Sequence, residues 1–485
     1  MSEIKNLEPK ELWGYFSEIC QIPHPSKKEQ KMVDYVKDFG EKQGLETVVD
    51  ETGNVIIKKP AVKGFENKKT VVLQAHLDMV PQKNSDKKHD FEKDPIEAYV
   101  DGEWVTAKGT TLGSDNGIGI AAAMAVLSSK DIKHGPVEGL FTVDEETGMT
   151  GAKNLKSGYL DADILINMDS EDEGELYVGC AGGIDITASK TYKEEPVPSG
   201  MKAYRLDAKG MKGGHSGIDI PLGRANANQV IARFLMQAEA ELDIKLSEAH
   251  AGDLRNAIPR EGYALIVVSE DKASDFENLV KEYDAILKNE YGDTEPDITF
   301  RCAETDTPEG LVPADEQYGF IRSVFACPNG VLRMSTSMEG LVETSNNIAV
   351  VNIGGGSFEA LSLTRSSVDS AKEATAWKIA AVFQLAGTEI QMSGSYPGWK
   401  PNMDSPILKT MQGVYDKLFG RIPEIKAIHA GLECGIIAGA YPHLDMISLG
   451  PTIRYPHSPD EKVNIETVKK FWEFLVATLE AIPEK

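Results

Sequence analysis

No stretch of this chain approaches the roughly 20 apolar residues that a membrane-spanning helix needs. Its opening, Met1-Ser-Glu-Ile-Lys-Asn-Leu-Glu-Pro-Lys10, is polar and lacks the apolar core of a secretion signal, so a cytoplasmic location is expected. Basic residues are outnumbered: 51 Lys and Arg face 76 Asp and Glu, a formal net charge of −25. Phosphate backbones and anionic membranes call for the opposite sign, so neither nucleic acid nor a membrane is expected as a partner. The five cysteines, Cys20, Cys180, Cys302, Cys327 and Cys434, are scattered, and none forms a Cys-x-x-Cys pair. That usage points to reduced thiols rather than a disulfide framework. The glycines at 113, 117 and 119 lack the Lys-Ser/Thr of a phosphate-binding loop.

At 485 residues the chain is too long for one compact core, and two or three domains are expected. Its most informative stretch is Thr70-Val-Val-Leu-Gln-Ala-His-Leu-Asp-Met-Val80, an apolar run that ends in His76 and Asp78. Such a run reads as a buried parallel strand, whose C-terminal end opens into a ligand crevice. His76 and Asp78 fall on the same side of an extended chain. An imidazole with a carboxylate beside it suits a metal ligand and its orienting partner. Taken alone, the pair reads equally well as a solvated strand end.

Around this stretch, strand and helix alternate at a pitch that predicts a mainly parallel α/β sheet. Ser26-Lys-Lys-Glu29 is a capping-box pattern that opens a helix. Gly139–Val143 and Ala162–Met168 read as further buried strands, and Ile120–Leu127 as a tightly packed small-residue helix. From 186 to 394 the pattern changes to amphipathic strands and longer helices, which predicts an antiparallel sheet with helices on one side. That length suffices for two ferredoxin-like α+β units. The expected architecture is an α/β catalytic domain in two segments, 1–185 and 395–485, interrupted by an inserted α+β lid domain, 186–394.

Metal-type ligands gather at the predicted strand and loop ends of the outer segments: His76 and Asp78, Asp115, Glu145 and Glu146, Asp169, and His457. Mixed nitrogen and oxygen donors suit zinc, manganese or cobalt. In order and approximate spacing, His76-Leu-Asp78, Gly113-Ser-Asp115-Asn-Gly117, Asp144-Glu-Glu146, Asp169 and His457 resemble the signature of the M20 metallopeptidases along essentially the whole chain. Within that family the chain resembles the aminoacyl-histidine (Xaa-His) dipeptidases, through Gly213-Gly-His-Ser-Gly217, Arg255-Asn-Ala-Ile-Pro-Arg260 and Ala430-Gly-Leu-Glu-Cys-Gly435.

The resemblance implies two divalent cations, zinc first and cobalt or manganese as alternatives. Asp115 would bridge them, His76 and Asp169 would complete one site, and Glu146 and His457 the other. Asp78 would orient His76, and Glu145 would be the general base. His215 would donate to the reacting carbonyl. Apart from the resemblance, the planar fork of Arg365, with help from Asn256, suits the substrate carboxylate, and Glu433 reads equally as a partner for its free amine or as a helix-start glutamate. The implied reaction is hydrolysis of Xaa-His dipeptides by a metal-activated water. A tripeptidase, an N-acyl amino acid deacylase and a non-catalytic metal-binding protein are the alternatives, and a homodimer is the expected assembly. Cys434 reads as a buried thiol, and Gly354-Gly-Gly356 as a hairpin turn.

Overall fold

The computed structural model describes residues 3–485. The strand Val71–His76 is buried at every position, as an apolar run is when both faces of its sheet are covered. It lies between Val137–Thr142 and Ile164–Asn167, parallel to both, and Asp445–Ser448 continues the parallel set. Glu46–Val49 and Val55–Lys59 on one side, and Glu175–Cys180 and Glu424–Ile428 on the other, complete an eight-stranded sheet. In register, His76 stands opposite Thr142, and Gln74 opposite Asn167. The parallel strands therefore end together, and the residues that follow them emerge at one edge.

The helix Ser114–Ser128 is buried at almost every position and packs on Val71–His76 and on the helix Lys10–Ile19. Small side chains permit this. At Gly119 a Cβ would press on the Met168 carbonyl and the Asn116 side chain, so glycine is needed where the helix passes the end of Ile164–Asn167. The helix Gln30–Lys42 begins without the predicted capping box, because no side chain caps it. Ser26 donates its hydroxyl to the Met79 carbonyl instead, at 3.3 Å.

The chain forms two compact units. One runs to Cys180 and resumes over Trp399–Ala427 and Leu432–Lys485; the other comprises Ala181–Gly398 and the short return Ile428–Gly431. This inserted unit is built on one nine-stranded sheet in which every strand pair is antiparallel. Two β-α-β-β-α-β runs share that sheet. Met201–Lys209, Lys245–Ala251, Gly262–Ser269 and Thr299–Glu304 form one run, with the helices Ala227–Leu242 and Ala273–Tyr291. It is nested within the other, formed by Gly182–Thr191, Val342–Gly354, Ser357–Ser366 and Glu389–Tyr396 with the helices Ala314–Ala326 and Asp369–Leu385. All four helices bury side chains in one core. Gly354 pairs with Ser357 across the glycine turn, as a hairpin.

Phe234 lies at the centre of this core, fully buried, with ring centroids 4.8 Å from Phe300, 5.3 Å from Tyr283 and 5.9 Å from Phe276. Phe234→Ala is expected to destabilise the inserted unit by about 3–5 kcal/mol through lost burial and a residual cavity. Urea unfolding followed by circular dichroism measures this; a loss well under 1 kcal/mol would mean that the aromatic cluster does not hold the unit together.

Candidate metal centre

Each predicted ligand of the first unit leaves the end of an element just described. His76 closes its strand, Glu145 and Glu146 open the turn after Val137–Thr142, Asp169 follows Ile164–Asn167, and Asp115 sits in the first turn of Ser114–Ser128. His457 comes from the loop between the short strands Ile453–Arg454 and Lys462–Asn464, with a positive φ of 58°.

The side chains of His76, His457, Asp169 and Glu146 gather around Asp115. Its Oδ1 is 3.1 Å from His76 Nε2, and its Oδ2 is 3.3 Å from His457 Nε2. Asp169 lies 3.2 Å from the same His76 nitrogen, and Glu146 lies 3.0 Å from His457 Nε2. Ligand atoms of His76, Asp115 and Glu146 fall within 4.8 Å of one another. Asp78 is 3.4 Å from His76 Nδ1 on the far side of the ring. It also accepts the Glu145 N–H at 2.9 Å and the Glu146 N–H at 3.2 Å, so one carboxylate aims both the imidazole and the glutamate turn.

The protonation preferences follow from this crowding. Burial alone would strip the proton from His76, but the Asp169 charge and hydrogen bonds to Asp115, Asp169 and Asp78 outweigh it and hold its pKa well above the ordinary imidazole value. Hydrogen bonds to Asp115 and Glu146 raise His457 to about 11. Burial pushes Asp169 up to about 6 against the pull of His76. Asp78, despite a burial cost, is held at about 2 by its hydrogen bond to His76 and that ring's charge. Burial, reinforced by Asp169, Glu433 and Glu146, raises Glu145 well above the usual carboxylate range. Protons on the two imidazoles offset part of the carboxylate charge. Glu146 Oε1 is buried without a hydrogen-bond partner. Mixed carboxylate and imidazole donors around that orphaned oxygen fit a pair of divalent cations.

Glu433 opens the helix Glu433–Ala440. It is fully buried, and its Oε2 accepts from Gln74 Nε2 at 2.6 Å and Thr142 Oγ1 at 2.7 Å. Burial raises its pKa to about 7. The bonds to Gln74 and Thr142 tie it to the ends of two parallel strands, while its Oε1 is buried without a hydrogen-bond partner. Cys434 beside it is a fully buried thiol.

Within the inserted unit, Gly214–His215 pairs with Ala257–Ile258. The His215 Nδ1 accepts the N–H groups of Gly217 at 3.2 Å and Ile218 at 3.1 Å, which assigns the hydrogen of the neutral ring to Nε2. Burial, then the Arg365 charge, lowers the pKa of His215 and keeps it neutral. Arg365 lies inside the strand Ser357–Ser366 rather than after it and is 5% exposed. Its Nη1 donates to the Tyr396 hydroxyl at 3.1 Å and its Nε to Ser216 Oγ at 3.4 Å, and among the described residues no carboxylate pairs with it. His429 is buried in the same unit, with Nε2 2.7 Å from Ser345 Oγ and Nδ1 without a partner. Asn256 is exposed on the turn before Ala257.

Sequence reasoning missed several members of the site. Asn116 Nδ2 bonds to Asp169 and to the Met168 carbonyl. Gln74, Asn167 and Ser448 form a buried chain between strand ends. Glu461 holds the Asp115 turn. All bond across large sequence separations, and only the polar Gln74 and Asn167 inside apolar strands carried a local sign.

Comparison with known proteins places the chain in context. The sequence profile of peptidase family M20/M25/M40 matches residues 72–481. The cytosol non-specific dipeptidase of Escherichia coli (strain K12) is 48% identical over 485 residues, covering 100% of both chains. The crystal structure of aminoacylhistidine dipeptidase from Vibrio alginolyticus superposes with a TM-score of 0.96 at 51% identity, again covering 100% of both chains. Aminopeptidase PepT from Bacillus cereus ATCC 10987 shares the fold, with a TM-score of 0.57 at 18% identity over 98% of this chain and 99% of its own.

The pKa of His429 supplies a test of the inserted unit. Burial, then the Arg365 charge, lowers it from 6.5 to about 3. The unfolded chain therefore binds a proton below pH 6.5 that the folded chain does not. The contribution is complete above that pH and is lost as pH falls toward 3, at up to about 1.4 kcal/mol per pH unit. His429→Asn is expected to flatten this part of the stability profile, read as urea midpoints at pH 7.5 and pH 5. Equal pH sensitivity in wild type and variant would show that His429 is not buried neutral.

Proposed function

Because the chain belongs to peptidase family M20/M25/M40, we propose that it is a metal-dependent dipeptidase that hydrolyses small peptides, with Xaa-His dipeptides preferred. The observation that carries the reading is Asp115, whose two oxygens each face a different imidazole, His76 and His457. His76 and Asp169 would hold one cation, Glu146 and His457 the other, and Asp115 both. Zinc is the first choice, with cobalt or manganese able to substitute. When bound, such ions acidify a nearby water and polarise a carbonyl.

The chain's own groups do the rest. Glu145, beside the proposed ligand Glu146 in the turn after Val137–Thr142, would take the proton of the attacking water and pass it to the leaving amine. Asp78 keeps His76 aimed. His215 offers an Nε2–H to a developing oxyanion. Arg365, buried and without an anionic partner, suits the terminal carboxylate of a dipeptide. The exposed Asn256 assists it. Glu433, tied to the strand ends through Oε2 and with Oε1 unpartnered, would meet the substrate's free amine. The lid role of residues 186–394, a homodimeric assembly and a cytosolic location, in keeping with the E. coli relative's name, belong to the same reading.

A dipeptide panel assayed with and without zinc tests the activity. Xaa-His and other dipeptides should be cleaved only with metal, and cleavage confined to tripeptides or N-acyl amino acids would overturn the proposal. Glu145→Gln should keep its metal content and lose about 10²–10⁴-fold in kcat; retained turnover would remove Glu145 as the base. Arg365→Met should lower kcat/KM for dipeptides about a hundredfold. It should leave the corresponding dipeptide amides, which lack the carboxylate, little changed; equal losses on both would remove Arg365 as the carboxylate anchor.

A further inference from the structure

Glu461 lies four residues beyond His457 and is 2% exposed. Its carboxylate is saturated by one short segment. Oε2 accepts the N–H groups of Leu112 at 2.8 Å and Gly113 at 3.1 Å. Oε1 accepts the Ser114 N–H at 2.7 Å, the Ser114 hydroxyl at 2.6 Å and, more distantly, the Asp115 N–H at 3.4 Å. The Glu461 backbone is fixed as well, its N–H donating to the Ser458 carbonyl at 3.0 Å and its carbonyl accepting from Thr106 Oγ1 at 2.7 Å. Among the described residues no lysine or arginine pairs with it.

Both segments that Glu461 joins carry a proposed metal ligand, and both have backbone that side chains rarely adopt. Gly113 has a φ of 72°, Tyr455 of 55° and His457 of 58°. Neither ligand lies within a long regular element: His457 sits in a loop, and Asp115 has non-helical angles within the first turn of its helix. A buried carboxylate is costly unless its hydrogen bonds are complete, and here they are completed by peptide groups at the positive end of a helix. An apolar residue could fill the same volume without that cost, but it could not hold the two segments in one register.

We propose that Glu461 is a positioning residue for the metal centre: its carboxylate clamps the Asp115 turn to the His457 loop and so sets the spacing of two ligands before a cation enters. The clamp rests on the ligand set proposed above. Glutamine is the informative replacement. Its amide NH₂ would face backbone N–H groups, so at most one side of the clamp survives with volume unchanged. Ser114→Ala removes only the hydroxyl bond and leaves the carboxylate and the peptide N–H groups in place.

The test titrates metal-free, full-length protein with Co(II), by calorimetry and by the visible absorption of the bound ion. Wild type should take two ions. E461Q should fold, by circular dichroism, and bind at least one ion about 10–100-fold more weakly, the range found when a ligand's supporting partner is removed. Its cobalt spectrum should shift, and S114A should move the same binding step in the same direction by less. At limiting cobalt, kcat in both should fall while KM for a dipeptide holds, and excess cobalt should restore kcat. Wild-type affinities and spectra in both variants would overturn the clamp. If E461Q fails to fold, S114A decides, and an unchanged titration there overturns it. A wild-type protein that takes up no cobalt would instead sink the ligand set, and the clamp with it.

Discussion

Charge crowding around Asp115 is the constraint on which the rest of the first unit depends. Asp78, Asp115, Glu146 and Asp169 lie around two imidazoles at separations of 3.0–3.4 Å. Like charges this close, and this far from water, cannot all persist without positive charge between them. In the protein alone, protons on His76 and His457 supply it, and hydrogen bonds from both rings keep Asp115 below the carboxylate range despite its burial. A divalent cation supplies more charge in a smaller volume and takes the place of those protons. The site is thus built with an electrostatic deficit that cations relieve.

Holding such a cluster open requires a rigid frame, and the sheet provides one through a chain of buried polar groups. Thr142 and Gln74 both donate to Glu433, and Asn167 donates to Gln74 at 2.5 Å. Ser448 donates to Asn167 at 2.5 Å, and Ser170 and Ser448 share a hydroxyl contact at 2.6 Å. This chain crosses the four parallel strands near the ends from which His76, Glu145, Glu146 and Asp169 emerge. Apolar side chains would have packed there as densely. Hydrogen bonds add what apolar packing lacks, because a shift of one strand by one residue would break several of them at once in a medium where unpaired groups are expensive. The register that aligns the strand ends is therefore fixed twice, by the backbone ladder and by this chain.

How much of this was legible in the sequence depended on whether the signal was local. The buried strand at 71–76, the small-residue helix after Asp115 and the glycine hairpin at 354–356 each carry their pattern within a few residues, and they formed where expected. The five proposed ligands and Asp78 could be named because their motifs keep a fixed order, and the structure brings them together. Failures came where a side chain's partner is far along the chain. Ser26 and Glu29 have the spacing of a capping box, but Ser26 is drawn 53 residues away to Met79. Glu433 is bonded to Gln74 and Thr142, 359 and 291 residues away, and neither bond has a local sign. The nesting of one β-α-β-β-α-β run within another also leaves no local trace, since each strand looks the same whichever neighbour it pairs with.

Three buried glutamates of the first unit show how the environment of a carboxylate separates roles that sequence cannot. Glu146 has one oxygen against His457 and the other without a partner, so its pairing is incomplete until a cation arrives. Glu433 is met at one oxygen by neutral donors, Gln74 and Thr142, its Oε1 has no partner, and burial lifts it to about 7. Glu461 is also pushed upward by burial, with the Ser114 bond opposing that rise, but its oxygens are filled by a ring of peptide N–H groups that stabilise the charged form. An incomplete shell marks a group kept for a ligand, and a full shell of N–H donors marks a fixed anion. On that scale Glu146 and Glu433 each keep one oxygen for a further partner, while Glu461 holds in place the elements that present Asp115 and His457.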